Sequence, residues 1–133
     1  MIGDMQKWTP NVAGIIEHAR EIHPKTEVIS RLVSGEIHRT NYEEVCIRSR
    51  KLGSALEKDG VKKGDVVATL ALNTYRHLEM YYGISGMGAI THTLNFRLHP
   101  EQAIYIINHA EDKIIFVELP FVPILEGLQD KLA

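Results

Sequence analysis

The stretch TLNFRLHPEQ (93–102) carries Arg97 between His92 and His99, where an apolar strand gives way to a helix opening at Pro100. An arginine there could belong to a ligand site or to an ordinary connection. Carboxyl-terminal strand loops are where open α/β sheets bind ligands. The other reactive residue types form no constellation. The seven histidines (18, 23, 38, 77, 92, 99 and 109) include no His-Glu-x-x-His, which excludes a zincin centre. His92 reads as a strand residue, and His109 as a helix C-terminal residue favoured by the helix dipole. Cys46 is the single cysteine, so neither a disulfide framework nor a cysteine metal site is available.

Glycine-rich phosphate loops fare no better. GISGMG (83–88) lacks the spacing of a dinucleotide fingerprint and the Lys-Ser/Thr of a P-loop, and it closes a helix instead of opening one. Ser85 misses a nucleophile elbow because Met87 stands where a glycine is required. Glu111 and Asp112 read as a solvated turn. Asn73, at the end of an apolar strand, reads as a cap for the next helix, with a ligand-facing role as the alternative. No catalytic residue or metal ligand is assigned, and Arg97 is the one candidate binding residue.

The elements that would position it follow from hydrophobic period. Val12, Ile15, Ile16, Ala19 and Ile22 keep helical spacing, and Pro24 ends it. TEVISRLVSGEIHRT (26–40) reads as a hairpin about Ser34-Gly35. Thr40 and Glu43 suggest a capping box for a helix with Tyr42, Val45, Ser49, Leu52 and Leu56 on one stripe, ending near Gly60. VVATLAL (66–72) is a continuous apolar run, as expected of a strand buried on both faces. Then come a helix over 74–88, a strand AITHTL (89–94), a helix PEQAIYIINHA with proline at its first position, a strand KIIFV (113–117) and a short helix. Gly83, Gly86 and Gly88 are expected to let the first of these helices approach a sheet. The alternation implies an α/β fold: a partial doubly wound parallel sheet preceded by a helix and a β-hairpin.

Composition sets outer bounds. The 133 residues suit one domain, and 44% hydrophobic with 24% charged content argues against disorder. A net charge of -2 gives no general attraction to nucleic acid. Arg48, Arg50 and Lys51 read as a solvated helix face. No apolar run is long enough for a transmembrane segment, and MIGDMQKWTP lacks a secretory pattern, so a cytoplasmic location is the expectation.

The ordered series TNYEEV (40–45), GVKKGDVVA (60–68), Asn73, Glu79, Gly88-Ala89, LNFRL (94–98) and YIINHAED (105–112) resembles the N-terminal region of the AMP-forming acyl-CoA synthetases. These belong to the adenylate-forming superfamily. The likeness runs over about residues 27–117, and SRLVSGEIHRTNYEEV and MGAITHTLNFRLHPEQ look most like the fatty-acid branch. It implies a parent that joins a fatty acid to ATP as an acyl-adenylate and then transfers the acyl group to CoA, with ATP, Mg and CoA required. Arg97 matches the arginine of an Asn-x-Arg-Leu loop that in some members reaches the nucleotide phosphate of CoA. The plainer role is a brace against Glu101.

Family members are several times longer, and their phosphate loop and C-terminal catalytic domain lie downstream of the matched region. Residues 1–133 are therefore expected to be the N-terminal portion of the large N-terminal domain, inactive alone and binding no cofactor unaided. The alternative is a stand-alone interaction domain that forms a homodimer by exchanging its hairpin or first helix. A small nucleotide-binding module is disfavoured for want of a phosphate loop. Apolar surface on Val66–Leu72 and Ile114–Val117 is expected to be exposed, leaving the isolated chain marginal or prone to aggregate.

Overall fold

The structure, a computed structural model, describes Gly3 and residues 10–133. The secretory-signal reading of the first ten residues lies almost wholly outside these. Helix α1 (Val12–Ile22) begins at Asn11, whose Oδ1 accepts the N–H of Gly14 at 2.8 Å. Strands β1 (Glu27–Arg31) and β2 (Ile37–Asn41) pair antiparallel with Ser30 opposite His38. Gly35 turns the hairpin at φ 87°, a conformation that costs a residue with a Cβ.

Helix α2 (Tyr42–Lys58) starts one residue later than the capping box expected from the sequence. Thr40 is still in the β-ladder opposite Val28, so its backbone is committed to the strand. Asn41 is the cap instead, accepting the Glu44 N–H at 2.9 Å. Thr40 donates its hydroxyl to the Glu44 carboxylate at 2.6 Å.

Strand β3 (Val66–Leu70), helix α3 (Tyr75–Gly86), strand β4 (Ile90–Thr93), helix α4 (Pro100–Ala110) and strand β5 (Ile114–Val117) follow in the expected alternation. A short helix α5 (Val122–Glu126) lies between two 3-10 turns, Leu119–Phe121 and Gln129–Lys131. The parallel sheet has the order β4-β3-β5, with Val67 opposite both Ile90's neighbour Thr91 and Ile114. Because β4 and β5 flank β3 on opposite sides, right-handed crossovers send α3 and α4 to opposite faces. That is the doubly wound arrangement in its smallest form.

Central β3 is buried on both faces. Val67 packs with Leu56, Val61, Ile84 and Ala89, and the alternate residues Ala68 and Leu70 are buried on the other side. Burying each such Val, Leu or Ile side chain contributes about 1.5–3 kcal/mol. A second cluster joins Ile16, Val45 and Cys46 to Leu78 and Tyr82, fastening α1 onto α2 and α3.

The expected exposure of the β3 and β5 strands is therefore corrected. Val67 to Leu70 are buried, and Ile114–Val117 are half-buried. The exposed large apolar residues lie elsewhere, on the hairpin (Ile29, Val33, Ile37), at Ile90 and at Leu119. Two further expectations change. Gly83 approaches α2 instead of the sheet: a Cβ there would lie 2.8 Å from the Ser49 carbonyl oxygen. A Cβ on Gly86 would meet only the Ala13 Cβ, at 4.0 Å, and Gly88 closes the helix at φ 89°. Arg48 and Arg50 are also more than a solvated face. Arg48 pairs with Glu79 of α3 at 2.6 Å and Arg50 with Glu17 of α1 at 2.6 Å, so the two cations tie three helices together.

Candidate functional site

The carboxyl end of the parallel sheet opens into a cleft of about 650 Å³ between that edge and the hairpin. Its apolar walls include Val28, Ile29, Leu78 and Phe96, and its polar groups include Asn73, His77 and Asn95. Each arrives for a local reason. Asn73 follows β3 in the connection to α3, and Asn95 and Phe96 follow β4. The Leu94 N–H extends the β3–β4 ladder by one bond, to the Thr69 carbonyl at 2.8 Å.

Asn73 lines the cleft and is exposed, and it does not cap α3. The cap position is Thr74, which makes no side-chain cap bond. The β3 end is secured from a distance: the Glu118 carboxylate accepts the Leu72 N–H at 2.7 Å, while the Glu118 N–H reaches the Leu70 carbonyl at 3.0 Å. Beside it, His77 Nε2 and Thr69 Oγ1 are 3.0 Å apart. Burial holds the imidazole below its ordinary value of 6.5, against smaller opposing effects of the Leu72 backbone and Glu118. A neutral ring is therefore favoured at the cleft wall. Next to it Tyr75 is buried, stacked on His38 with centroids 3.7 Å apart, and Arg76 lies 5.2 Å from its ring centre.

Arg97 stands outside these walls, exposed on the β4–α4 loop. Its backbone N–H donates to Asn95 Oδ1 at 3.0 Å, an Asx turn that fixes the loop. Its guanidinium carbon sits 5.5 Å from the Phe96 ring centre. Arg97 takes part in none of the ion pairs among the described residues, so the brace to Glu101 is not observed. The cation is left with its donor edges available.

The flanking histidines do not join Arg97. His92 turns to Asp112, with Nδ1 2.9 Å from Oδ2, and the Asp112 side chain has no exposure at all. The solvated-turn reading of Asp112 is thus overturned, because folding delivers the end of α4 to the flank of β4. Glu111 beside it does mark the turn, in the left-handed region at φ 55°. His99 begins α4, its N–H donating to Gln102 Oε1 at 3.2 Å, and Pro100 is the first helical residue as expected. His109 stacks on Tyr105 in the last turn. Ser85 bonds Thr91 at 2.8 Å across to β4, a helix-face serine.

Sequence reasoning missed His77 and Glu118 as wall and strut of the cleft. The available signal was the placement of Glu118 directly after β5 and of His77 in the first turn of the helix that follows β3. Among the described residues, no three His, Cys, Asp or Glu side chains converge in a way that would hold a metal ion. No helix among them is long and apolar enough to cross a membrane.

A cleft at the carboxyl end of a parallel sheet, apolar on its walls and with an available guanidinium outside it, is chemistry for an amphipathic, phosphate-bearing ligand. The family model described as AMP-binding enzyme matches residues 16–132, and the chain belongs to that family. It is 44% identical over 132 residues to the medium-chain-fatty-acid–CoA ligase of Ectopseudomonas oleovorans, and 45% over 122 residues to the long-chain-fatty-acid–CoA ligase of Thermus thermophilus. The 3-methylmercaptopropionyl-CoA ligase of Ruegeria lacuscaerulensis is 42% identical over 132 residues. These alignments take in 99%, 92% and 99% of this chain but 24%, 23% and 24% of the relatives, so the chain spans about a quarter of their length.

Solved structures share the fold. The anthranilate CoA ligase AuaEII superposes with a TM-score of 0.84 at 22% identity, over 97% of this chain and 24% of its own. A Mycobacterium tuberculosis fatty acyl CoA synthetase gives 0.79 at 21%, over 90% and 23%.

Proposed function

We propose that the chain is the N-terminal portion of the large domain of an AMP-forming fatty-acid–CoA ligase. The parent activates a carboxylate with ATP and passes the acyl group to CoA. Forming the adenylate replaces a poor leaving oxygen with a good one, and the CoA thiolate then attacks the activated carbonyl. The observation that carries the reading is Arg97: exposed, held by Asn95 and Phe96, and without a carboxylate partner among the described residues. Its role is to hold a phosphate of CoA at the rim of the cleft, where a guanidinium fork meets two oxygens.

Identity of 42–45% to acyl-CoA ligases supports the reaction class. The chain spans about a quarter of the length of these relatives. The chain alone is therefore inactive. Two measurements test this. ATP–pyrophosphate exchange by the 133-residue chain is absent, and turnover by it would refute the fragment reading. In the full-length ligase, Arg97→Ala raises the apparent KM for CoA about ten-fold or more, the loss expected for a charge-assisted phosphate bond. Equal losses in adenylate formation and thioester formation would count against the CoA role.

A further inference from the structure

Arg97 does not stand alone on its loop. Phe96, the residue before it, stacks on Phe121 with ring centroids 4.9 Å apart and planes 16° from parallel. The guanidinium of Arg97 lies over the same Phe96 ring. Phe121 comes from the 3-10 turn just after β5, its N–H bonded to the Glu118 carbonyl at 2.8 Å, and it is buried. β4 and β5 occupy opposite edges of the sheet, with β3 between them. The aromatic pair therefore bridges the carboxyl end of the sheet and joins the loop after β4 to the turn after β5.

We infer that Phe121 is a positioning residue for Arg97, acting through Phe96 to aim the guanidinium at the CoA phosphate. The inference rests on the CoA reading above and extends it to a residue 24 positions away in sequence. An arginine on an exposed loop has many rotamers, and its cost of ordering is high when no carboxylate fixes it. A flat ring beneath it narrows those rotamers, because the π face attracts the cation and leaves its N–H edges pointing outward. Phe96 can serve as that platform only if its own ring is held, and Phe121 supplies the holding face. Asn95 fixes the backbone of the same residue, so Arg97 is set at both main chain and side chain.

The test uses the full-length ligase and the two half-reactions measured separately, in the Arg97 and Arg97→Ala backgrounds. Phe121→Leu raises the apparent KM for CoA roughly three-fold, the scale of an exposed cation–π contact, and leaves ATP–pyrophosphate exchange unchanged. Phe121→Tyr, which keeps the ring, restores the wild-type KM. In the Arg97→Ala background, Phe121→Leu adds nothing further, since the group it positions is gone. Phe121→Met takes the place of the leucine variant if that protein does not fold. Equal loss in both half-reactions, or the same KM shift with and without Arg97, overturns the positioning role. If Arg97→Ala leaves the CoA KM alone, the CoA reading falls and this inference falls with it. If Arg97→Ala raises the KM and Phe121→Leu does not, only the inference falls.

Discussion

Gly83→Ala tests a close approach between α3 and α2. A Cβ at position 83 would lie 2.8 Å from the Ser49 carbonyl oxygen and 3.1 and 3.2 Å from Leu52 side-chain carbons. Ordinary contact begins near 3.4 Å, so the shortfall against Ser49 is 0.6 Å (3.4 minus 2.8). The obstructing atom belongs to the α2 backbone and cannot swing aside, so the helices must part. Overpacking of this kind costs about 1–3 kcal/mol. Replacing a helical glycine by alanine returns up to about 1 kcal/mol. With the full return subtracted, the net expectation is a loss of up to about 2 kcal/mol, or a fall of up to roughly 8 °C in Tm for a chain of this size. Gly86→Ala is the internal control: its nearest neighbour, the Ala13 Cβ, is 4.0 Å away, so only the propensity term remains and the variant gains up to about 1 kcal/mol. Thermal and urea unfolding followed by far-UV circular dichroism read both. Equal stability changes in Gly83→Ala and Gly86→Ala would refute the packing argument.

Two other perturbations have defined outcomes. Asp112→Ala leaves His92 Nδ1 without its partner at a half-buried site and lowers stability by about 1–3 kcal/mol, while Asp112→Asn, which keeps an acceptor, recovers part of that in the same melting assay. His77 is held below 6.5 by burial, so the folded state takes up its proton less readily than the unfolded chain. The stability it contributes is present above 6.5 and is lost as the pH falls through 6.5 toward the folded value, so His77→Gln shows a smaller drop in urea midpoint between about pH 7.5 and about pH 5.5.

Much of the fold was legible because its signals are local. The uninterrupted apolar run at Val66–Leu70 marks a strand buried on both faces, Gly35 marks a turn needing positive φ, and Pro100 marks a helix start. Parallel pairing followed from the alternation of elements. What escaped was pairing over long separations. Nothing local in Asp112 points to His92, in Glu118 to the Leu72 N–H, or in Arg48 to Glu79, since each partner is chosen by how crossovers fold back. The capping box at Thr40 failed for a related reason: the strand ladder kept that backbone extended, and Asn41 took the cap. At the candidate site, Arg97 was visible as a residue type in a loop, whereas Phe121 beneath its platform was not.

The strand order carries a consequence for synthesis. β3 is the middle strand, yet its second neighbour, β5, ends 47 residues after β3 does (117 minus 70). At a translation rate of about 5–20 residues per second, that interval is roughly 2–9 s. Once β4 has been made, the nascent chain can assemble the hairpin, α1 to α3 and β4, while one edge of β3 still offers unpaired N–H and C=O groups. Rapid winding of α4 shortens the reach needed for β5 to dock. Slow codons placed before position 114 would prolong exposure of that edge.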